Sequence, residues 1–489
     1  MKVFAGLDIG SSGGRCLLVD ERGKRVASGE RAWSYRRDTA AIAVLEPEAV
    51  IESMRAAVGD ALAAAPHATI AAIGVTSQRS GVVLLDGGGA VVHLGLNADG
   101  RALLEGLAFE RAHGETIYRT AGRLPAMIYL PARLAWFKTH EPAVFERTAR
   151  ALSMADWLVY RLTGAIGTDP TQAAEMLLYD VHARRWSEEL AGALEVDLAL
   201  LPPVGPAGAA VGATSGDALG FAMGIPVVPA GGDTQAAAVA MGVTEPGHAI
   251  VVAGTTMICE QVSDEPVIDP GGRLWTSPHA VDLRYVLEAH CGEAGAAIDW
   301  LAATMDMVHE ELVAVAEVAT PGAGGVSFFD SYPSTVADFP LIRTGALQFP
   351  VPLMALGRGR EDIARAALES IAFGACAGLE WLSDVGGPQR SIAATGGIAR
   401  APVFTLALAG ACEQPVRVPS ERHSSALGAA ICAASEHHGS VARAVEAMHD
   451  LGHEVAPRAA DGYPSIYAAW RERASAMDAL SVRVRQFPS

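Results

Sequence analysis

Apolar runs alternate along the chain with segments of helical period, and most runs end in glycine or small polar residues. "KVFAGLDI" (2–9) and "RCLLVD" (15–20) predict two strands joined by "GSSGG" (10–14). "TIAAIGVTSQ" (69–78) and "GIPVVPAGGD" (224–233) have the unbroken apolar character of strands buried on both faces. "MADWLVYRLTG" (154–164) has helical spacing and a closing glycine, and "EDIARAALESIAFGACAGLEWLSD" (361–384) predicts a long, buried, alanine-rich helix. The alternation predicts an α/β protein. "HAIVVAGTTMICEQVSD" (248–264) repeats the opening plan of strand, small-residue turn and strand, just after the linker-like "GVTEPG" (242–247). The echo predicts a duplicated unit, with domains over 1–245 and 246–489.

Length agrees with two large cores, since 489 residues exceed one ordinary domain. A net charge of −18 disfavours nucleic-acid and anionic-membrane partners, so any phosphate ligand must be held by local groups. The six cysteines show no C-x-x-C and no zinc spacing, and read as reduced core residues. No apolar stretch approaches 18 residues, and the expectation is a cytoplasmic protein.

Candidate chemistry begins at Asp8, a carboxylate placed just before a turn suited to an anion. Carboxylate and phosphate repel, and a divalent cation between them removes the conflict. Arg15 carries a forked cation suited to phosphate, although it also reads as a solvated strand residue. Asp233 follows a strand and a "GG" turn and opens "DTQAAAVAM" (233–241), so it reads as a helix cap, as a carboxylate projecting into a site, or as both. His290, beside Cys291 and Glu293, reads as a hydrogen-bonded core residue.

Eight stretches then follow one another in the order found in the FGGY carbohydrate kinases: "GLDIGSSGGRCLLVD" (6–20), "TSQRSGVVLLD…NADGRA" (76–102), "ADWLVYRLTGAIGTDPTQA" (155–173), "PAGGDTQAAAVAMG" (229–242), "VAGTT" (252–256), "GEAGAAIDWL" (292–301), "ATGGIARAPVF" (394–404) and "SSALGAAICAA" (424–434). The chain resembles this family over nearly its whole length. The resemblance implies two actin-like ATPase (ribonuclease H-like) domains with a cleft between them, sugar on the first and ATP on the second. It also implies transfer of the γ-phosphoryl of ATP to a hydroxyl of a small linear ketose or polyol.

By the same resemblance Asp233 is the catalytic base, and Asp8 and Asp233 stand at the Mg2+ site. Ser11, Ser12, Gly13 and Arg15 match the first phosphate turn, and Gly254, Thr255 and Thr256 the second. Gly295 and Asp299 match positions near the nucleotide, and Gly396 and Gly397 the adenosine turn. Gln78, Arg79 and Asp99 occupy stretches that contact the sugar in relatives, with Tyr129 either lining that site or packed in the core. Gln78–Arg79 departs from the Met–His pair usual in xylulose kinases, while "QRSG…NADGR" resembles an autoinducer-2 kinase pattern. A xylulose-type ketopentose is placed first as acceptor, with an autoinducer-2-like hydroxyketone and a glycerol- or erythritol-type polyol as alternatives. The alternative of another class is an actin-like ATPase or sugar sensor without phosphotransfer. The partners expected are sugar and ATP, with no nucleic acid and no membrane, and a homodimer is left open.

Overall fold

Strand and helix positions follow the apolar pattern closely. The computed structural model describes all residues except 35, 38–41, 125, 217, 331, 334–344, 353–356 and 485–489. The opening run forms the strand Lys2–Ile9, and the next strand, Gly13–Val19, starts two residues earlier than "RCLLVD" suggests. Gly13 and Gly14 already pair with Ala32 and Arg31, leaving a turn of only 10–12. A Cβ on Gly13 would lie 2.5 Å from the Arg31 carbonyl oxygen, so this glycine serves the close approach of two strands.

The helix Met154–Thr163 starts at a Ser153–Asp156 capping box and stops at Gly164, which takes a φ of 73°. The long helix runs Arg360–Gly386.

Two sheets repeat one plan. In the first, an antiparallel run of Lys2–Ile9, Gly13–Val19 and Arg25–Ala32 is extended by Thr69–Ser77 and Pro226–Gly232, parallel to the opening strand. In the second, His248–Ala253 pairs antiparallel with Thr256–Ser263, which pairs with Tyr285–Glu293. Ser391–Thr395 and Val416–Val418 then extend it in parallel. The repeated hairpin was legible in the sequence; the matching crossovers are a finding of the structure.

Both faces of the first sheet are covered, as its unbroken apolar strands require. Ala5, Leu7 and Ile9 pack with the helices Pro47–Ala64 and Met154–Thr163. Phe4 packs with the helix Ser424–Ala433, contributed by the second half of the chain. That helix lies so close that a Cβ on Gly6 would sit 1.8 Å from the Ala426 carbonyl oxygen. Side chains alternate along a strand, so Asp8 shares the Gly6 face and extends past this helix toward its N-terminal end.

Candidate active site

Parallel strands place their C-terminal ends on one edge, where ligands of open α/β sheets collect. Asp8 pairs in register with Thr76, and Gly232 with Ser77. The Gln78 amide donates to the Ile9 carbonyl at 2.8 Å. Asp8, Gln78, Arg79 and Asp233 therefore gather at one edge although up to 225 positions separate them in sequence.

Asp233 is the first residue of the helix Asp233–Ala240, and Gly232 takes the N-cap position instead. Among the described residues its Oδ1 accepts only from neighbouring Thr234, through the amide at 2.9 Å and the hydroxyl at 3.4 Å. Burial pushes its pKa up to about 6, with Asp8 and Glu175 adding to the rise and Arg79 opposing it. A carboxylate so held is a better proton acceptor than a solvated one. Burial likewise raises the pKa of Asp8, against the pull of Arg15, whose Nη1 lies 3.2 Å from Asp8 Oδ2. Arg15 also donates to Glu30 at 2.9 Å.

Asp8 Oδ1 is buried and has no hydrogen-bond partner among the described residues. Two hard carboxylates with one oxygen unengaged fit Mg2+, which takes one or two protein carboxylates and fills its octahedron with water and phosphate oxygens. Among the described residues, no group of three or more His, Cys, Asp or Glu could hold a metal on protein ligands alone.

Arg79 is committed. Its guanidinium forks onto Glu288, with Nη1 2.5 Å from Oε2 and Nη2 2.9 Å from Oε1, and Nη1 lies 3.6 Å from Glu175. Glu175 also accepts from Arg123 and from Ser80 Oγ at 2.8 Å, and Arg123 bonds Ser277. Arg79, Arg123, Glu175 and Glu288 are all buried. Burial works to raise the Glu288 pKa, yet Arg79 and His290 hold it well below the usual carboxylate range.

Glu260, directly across the strand pair from Glu288, is driven the other way, by burial and by the Glu288 charge. Two buried carboxyls facing each other cannot both ionise freely, so the proton is held more tightly on Glu260 than on its neighbour. Gln235, two residues after Asp233, donates to Glu260 at 3.2 Å.

The sequence reading missed Glu175, Arg123, Glu260 and Glu288. The available signal was a carboxylate inside an apolar strand, as in "YVLEAHC" (285–291) and "MICEQVS" (257–263). His290, read as a core residue, places Nε2 2.7 Å from Glu288 and its ring 3.9 Å from that of Trp275.

Both carboxylate oxygens of Asp99 accept from Arg101 Nε, at 3.0 and 2.9 Å, and the residue is fully buried. Arg101 in turn lies over the Trp136 and Phe137 rings. Gln78 is buried with its Nε2 against Met154 Sδ, and its Oε1 has no hydrogen-bond partner among the described residues. Tyr129 is fully buried, near Trp275 and Arg123.

On the second sheet the candidate groups are backbone. Gly254 N bonds the Thr256 carbonyl at 3.1 Å, forming the turn, and Thr255 and Thr256 are exposed. The start of the helix Gly295–Thr304 is stitched to this turn: Ala294 and Ala296 donate to Thr255 O, and Gly295 to Gly254 O at 2.8 Å. Those amides are spent on joining the two segments, so any anion would meet what remains of the turn. Asp299 is exposed and 2.7 Å from His309 Nδ1. Gly396 takes a φ of 101°, and a Cβ there would lie 2.2 Å from the Ala253 carbonyl oxygen. Gly397 faces open space. Thr395 and Gly396 also border a cavity of about 600 Å³ with Arg400, Arg422, Lys24 and Leu427. Ser11 is half-buried and Ser12 exposed, the latter's carbonyl accepting from Trp33 N at 3.1 Å.

Carboxylates at the ends of parallel strands, with glycine- and hydroxyl-rich turns elsewhere in the chain, are materials that phosphoryl transfer can use. The profile of the FGGY carbohydrate kinase N-terminal domain matches residues 3–240, and that of the C-terminal domain residues 249–437. The chain is 31% identical over 370 residues to YoaC of Bacillus subtilis (strain 168), covering 73% of each protein. It is 27% identical over 463 residues to an autoinducer-2 kinase of Salmonella paratyphi B, covering 87% of this chain and 84% of that one. The solved xylulose kinase of Rhodospirillum rubrum superposes with a TM-score of 0.84 at 25% identity, over 97% of this chain and 99% of that one. The chain therefore belongs to the FGGY family of carbohydrate kinases, and its two-sheet architecture is the fold of that family. Among the described residues, no helix is long and apolar enough to cross a membrane.

Proposed function

We propose that the protein transfers the γ-phosphoryl of ATP to a hydroxyl of a small linear ketose or polyol, with a xylulose-type ketopentose first among the acceptors. Residues 1–245 hold the acceptor and residues 246–489 the nucleotide. The observation that carries the reading is Asp233: a carboxylate raised to about 6, next to Asp8, at the shared edge of three parallel strands.

Asp233 accepts the proton of the acceptor hydroxyl as its oxygen attacks the γ-phosphorus, and ADP leaves with the bridging oxygen. Asp8, with Asp233, would hold Mg2+, which would supply positive charge to the phosphates. Arg15 fixes Asp8 in place through its ion pair. Ser11, Ser12 and Gly13 with Gly254, Thr255 and Thr256 cradle the phosphates, and Gly295, Asp299, Gly396 and Gly397 the nucleoside end.

An autoinducer-2-like hydroxyketone is the second acceptor reading, favoured by similarity to an autoinducer-2 kinase over 87% of this chain. A coupled ADP-release assay with Mg-ATP against ketoses, glycerol, erythritol and dihydroxypentanedione tests both. One acceptor with high kcat/KM supports the reading and names the substrate. The same slow ADP release with every acceptor points to an ATPase or sensor.

A further inference from the structure

We infer that Glu288, supplied by the second half of the chain, is a specificity-determining positioning residue: by neutralising Arg79 it makes the acceptor site select an uncharged polyhydroxy acceptor over a sugar acid. The inference rests on the kinase reading above and concerns the acceptor edge of that same site.

Arg79 lies at Asp233. A Cβ on Gly232, the residue before Asp233, would come within 2.9 Å of Arg79 Cγ, and the Arg79 charge acts on the Asp233 carboxylate. A guanidinium there is the obvious anchor for an acceptor carboxylate, because its planar fork donates to both oxygens. Glu288 already occupies that fork with both of its oxygens. Arg123 bonds one oxygen of Glu175 and the Ser277 hydroxyl. The two buried cations are matched by two buried carboxylates.

A sugar acid entering this edge finds the Arg79 fork already taken by Glu288, so its carboxylate loses water without gaining that partner. Hydroxyls carry no such penalty. The Gln78 carbonyl oxygen, buried with no partner among the described residues, offers them an acceptor.

Glu288 acts with a reserve. Glu260 faces it across the strand pair, a second buried carboxylate that feels the Arg79 charge. With Glu288 neutral, Glu260 is left as a carboxyl group able to answer Arg79. Freeing Arg79 therefore takes Glu260→Gln and Glu288→Gln together.

Steady-state kinetics would be measured for the best neutral acceptor and for the aldonate of the same carbon number, in the wild type, in Glu288→Asp and in the double variant. The wild type is expected to favour the neutral acceptor by at least about 100-fold in kcat/KM. The double variant should narrow that ratio by about tenfold or more, chiefly through a lower KM for the aldonate, while Glu288→Asp keeps the wild-type ratio. A purely structural role would lower both acceptors together and leave the ratio unchanged, and that result overturns the inference. So does a wild-type enzyme that phosphorylates the aldonate as well as the neutral sugar, although the kinase reading then stands. Turnover of neither class would instead remove the kinase reading. If the double variant does not fold, competition in the wild type decides: an aldonate Ki close to the KM of the neutral acceptor rejects the inference, and a Ki at least about 100-fold higher upholds it.

Discussion

The two sheets build the edges proposed to face the ligands in different materials. The first is lined by ionisable side chains, Asp8, Arg79 and Asp233, backed by a buried network of Glu175, Arg123 and Glu288. The second is lined by backbone and small residues: the Gly254–Thr256 turn, the start of the Gly295–Thr304 helix, and Gly396–Gly397. Electrostatics fixes the first edge, where each charge sets the pKa of its neighbours. Steric fit fixes the second, where glycine lets one segment lie against another. A phosphotransferase needs both, a tuned base at the acceptor and a closely fitting frame for an anion that brings its own charge.

Substitutions should separate the two edges, and the largest effect belongs to the base. Asp233→Asn should lower kcat by about 10²–10⁴-fold with the fold intact, read by ADP release beside circular dichroism. The same variant should be the more stable protein above pH 6. The folded-state pKa of Asp233 is raised to about 6, so its contribution to stability is full below the ordinary value of 3.8 and is lost as pH rises through about 6. Asparagine removes that loss, by roughly 1–3 kcal/mol at pH 8, and the gain in Tm should vanish near pH 4.

Arg123→Ala tests the buried network. It leaves Glu175 without its close cation and should cost about 3–5 kcal/mol in denaturant unfolding, whereas a loss under about 1 kcal/mol would mean that the network is slack. Gly396→Ala tests the steric edge. A Cβ 2.2 Å from the Ala253 carbonyl oxygen forces the turn to shift. The expected cost is about 1–3 kcal/mol, with KM for ATP raised more than KM for the acceptor. The pH profile sharpens the contrast, since kcat/KM should rise with pH through about 6 as Asp233 ionises and should keep that limb in Gly396→Ala. The smallest effect is Glu30→Gln. Glu30 is largely exposed where it meets Arg15, and its loss should cost no more than about 1 kcal/mol in urea unfolding.

The sequence by itself determined several strands, among them those at 2–9, 69–77 and 226–232, and the small residues that follow them. An unbroken apolar run such as 224–230 has one economical fate in an α/β protein, and the small residues after it have one place to go. The hairpin echo at 248–264 was legible for the same reason. Local pattern even located the turns, apart from the two glycines of 13–14 that joined a strand because the neighbouring chain lies too close for a side chain.

Only the tertiary structure decided which charges meet. Arg79 and Glu288 are 209 positions apart, and neither residue's surroundings in sequence indicate the other. Asp99 kept its carboxylate for Arg101, two residues on, where the same motif left it open to a ligand. The pKa of Glu260 is raised by burial and by a cross-strand partner and lowered by a cation from the other half of the chain. Periodicity is a property of neighbours along the chain, whereas a pKa or an ion pair depends on what burial brings together. The ion pairs around Arg79 therefore stayed hidden until the fold was known, while the Gly254–Thr256 turn could be read from the sequence as a turn.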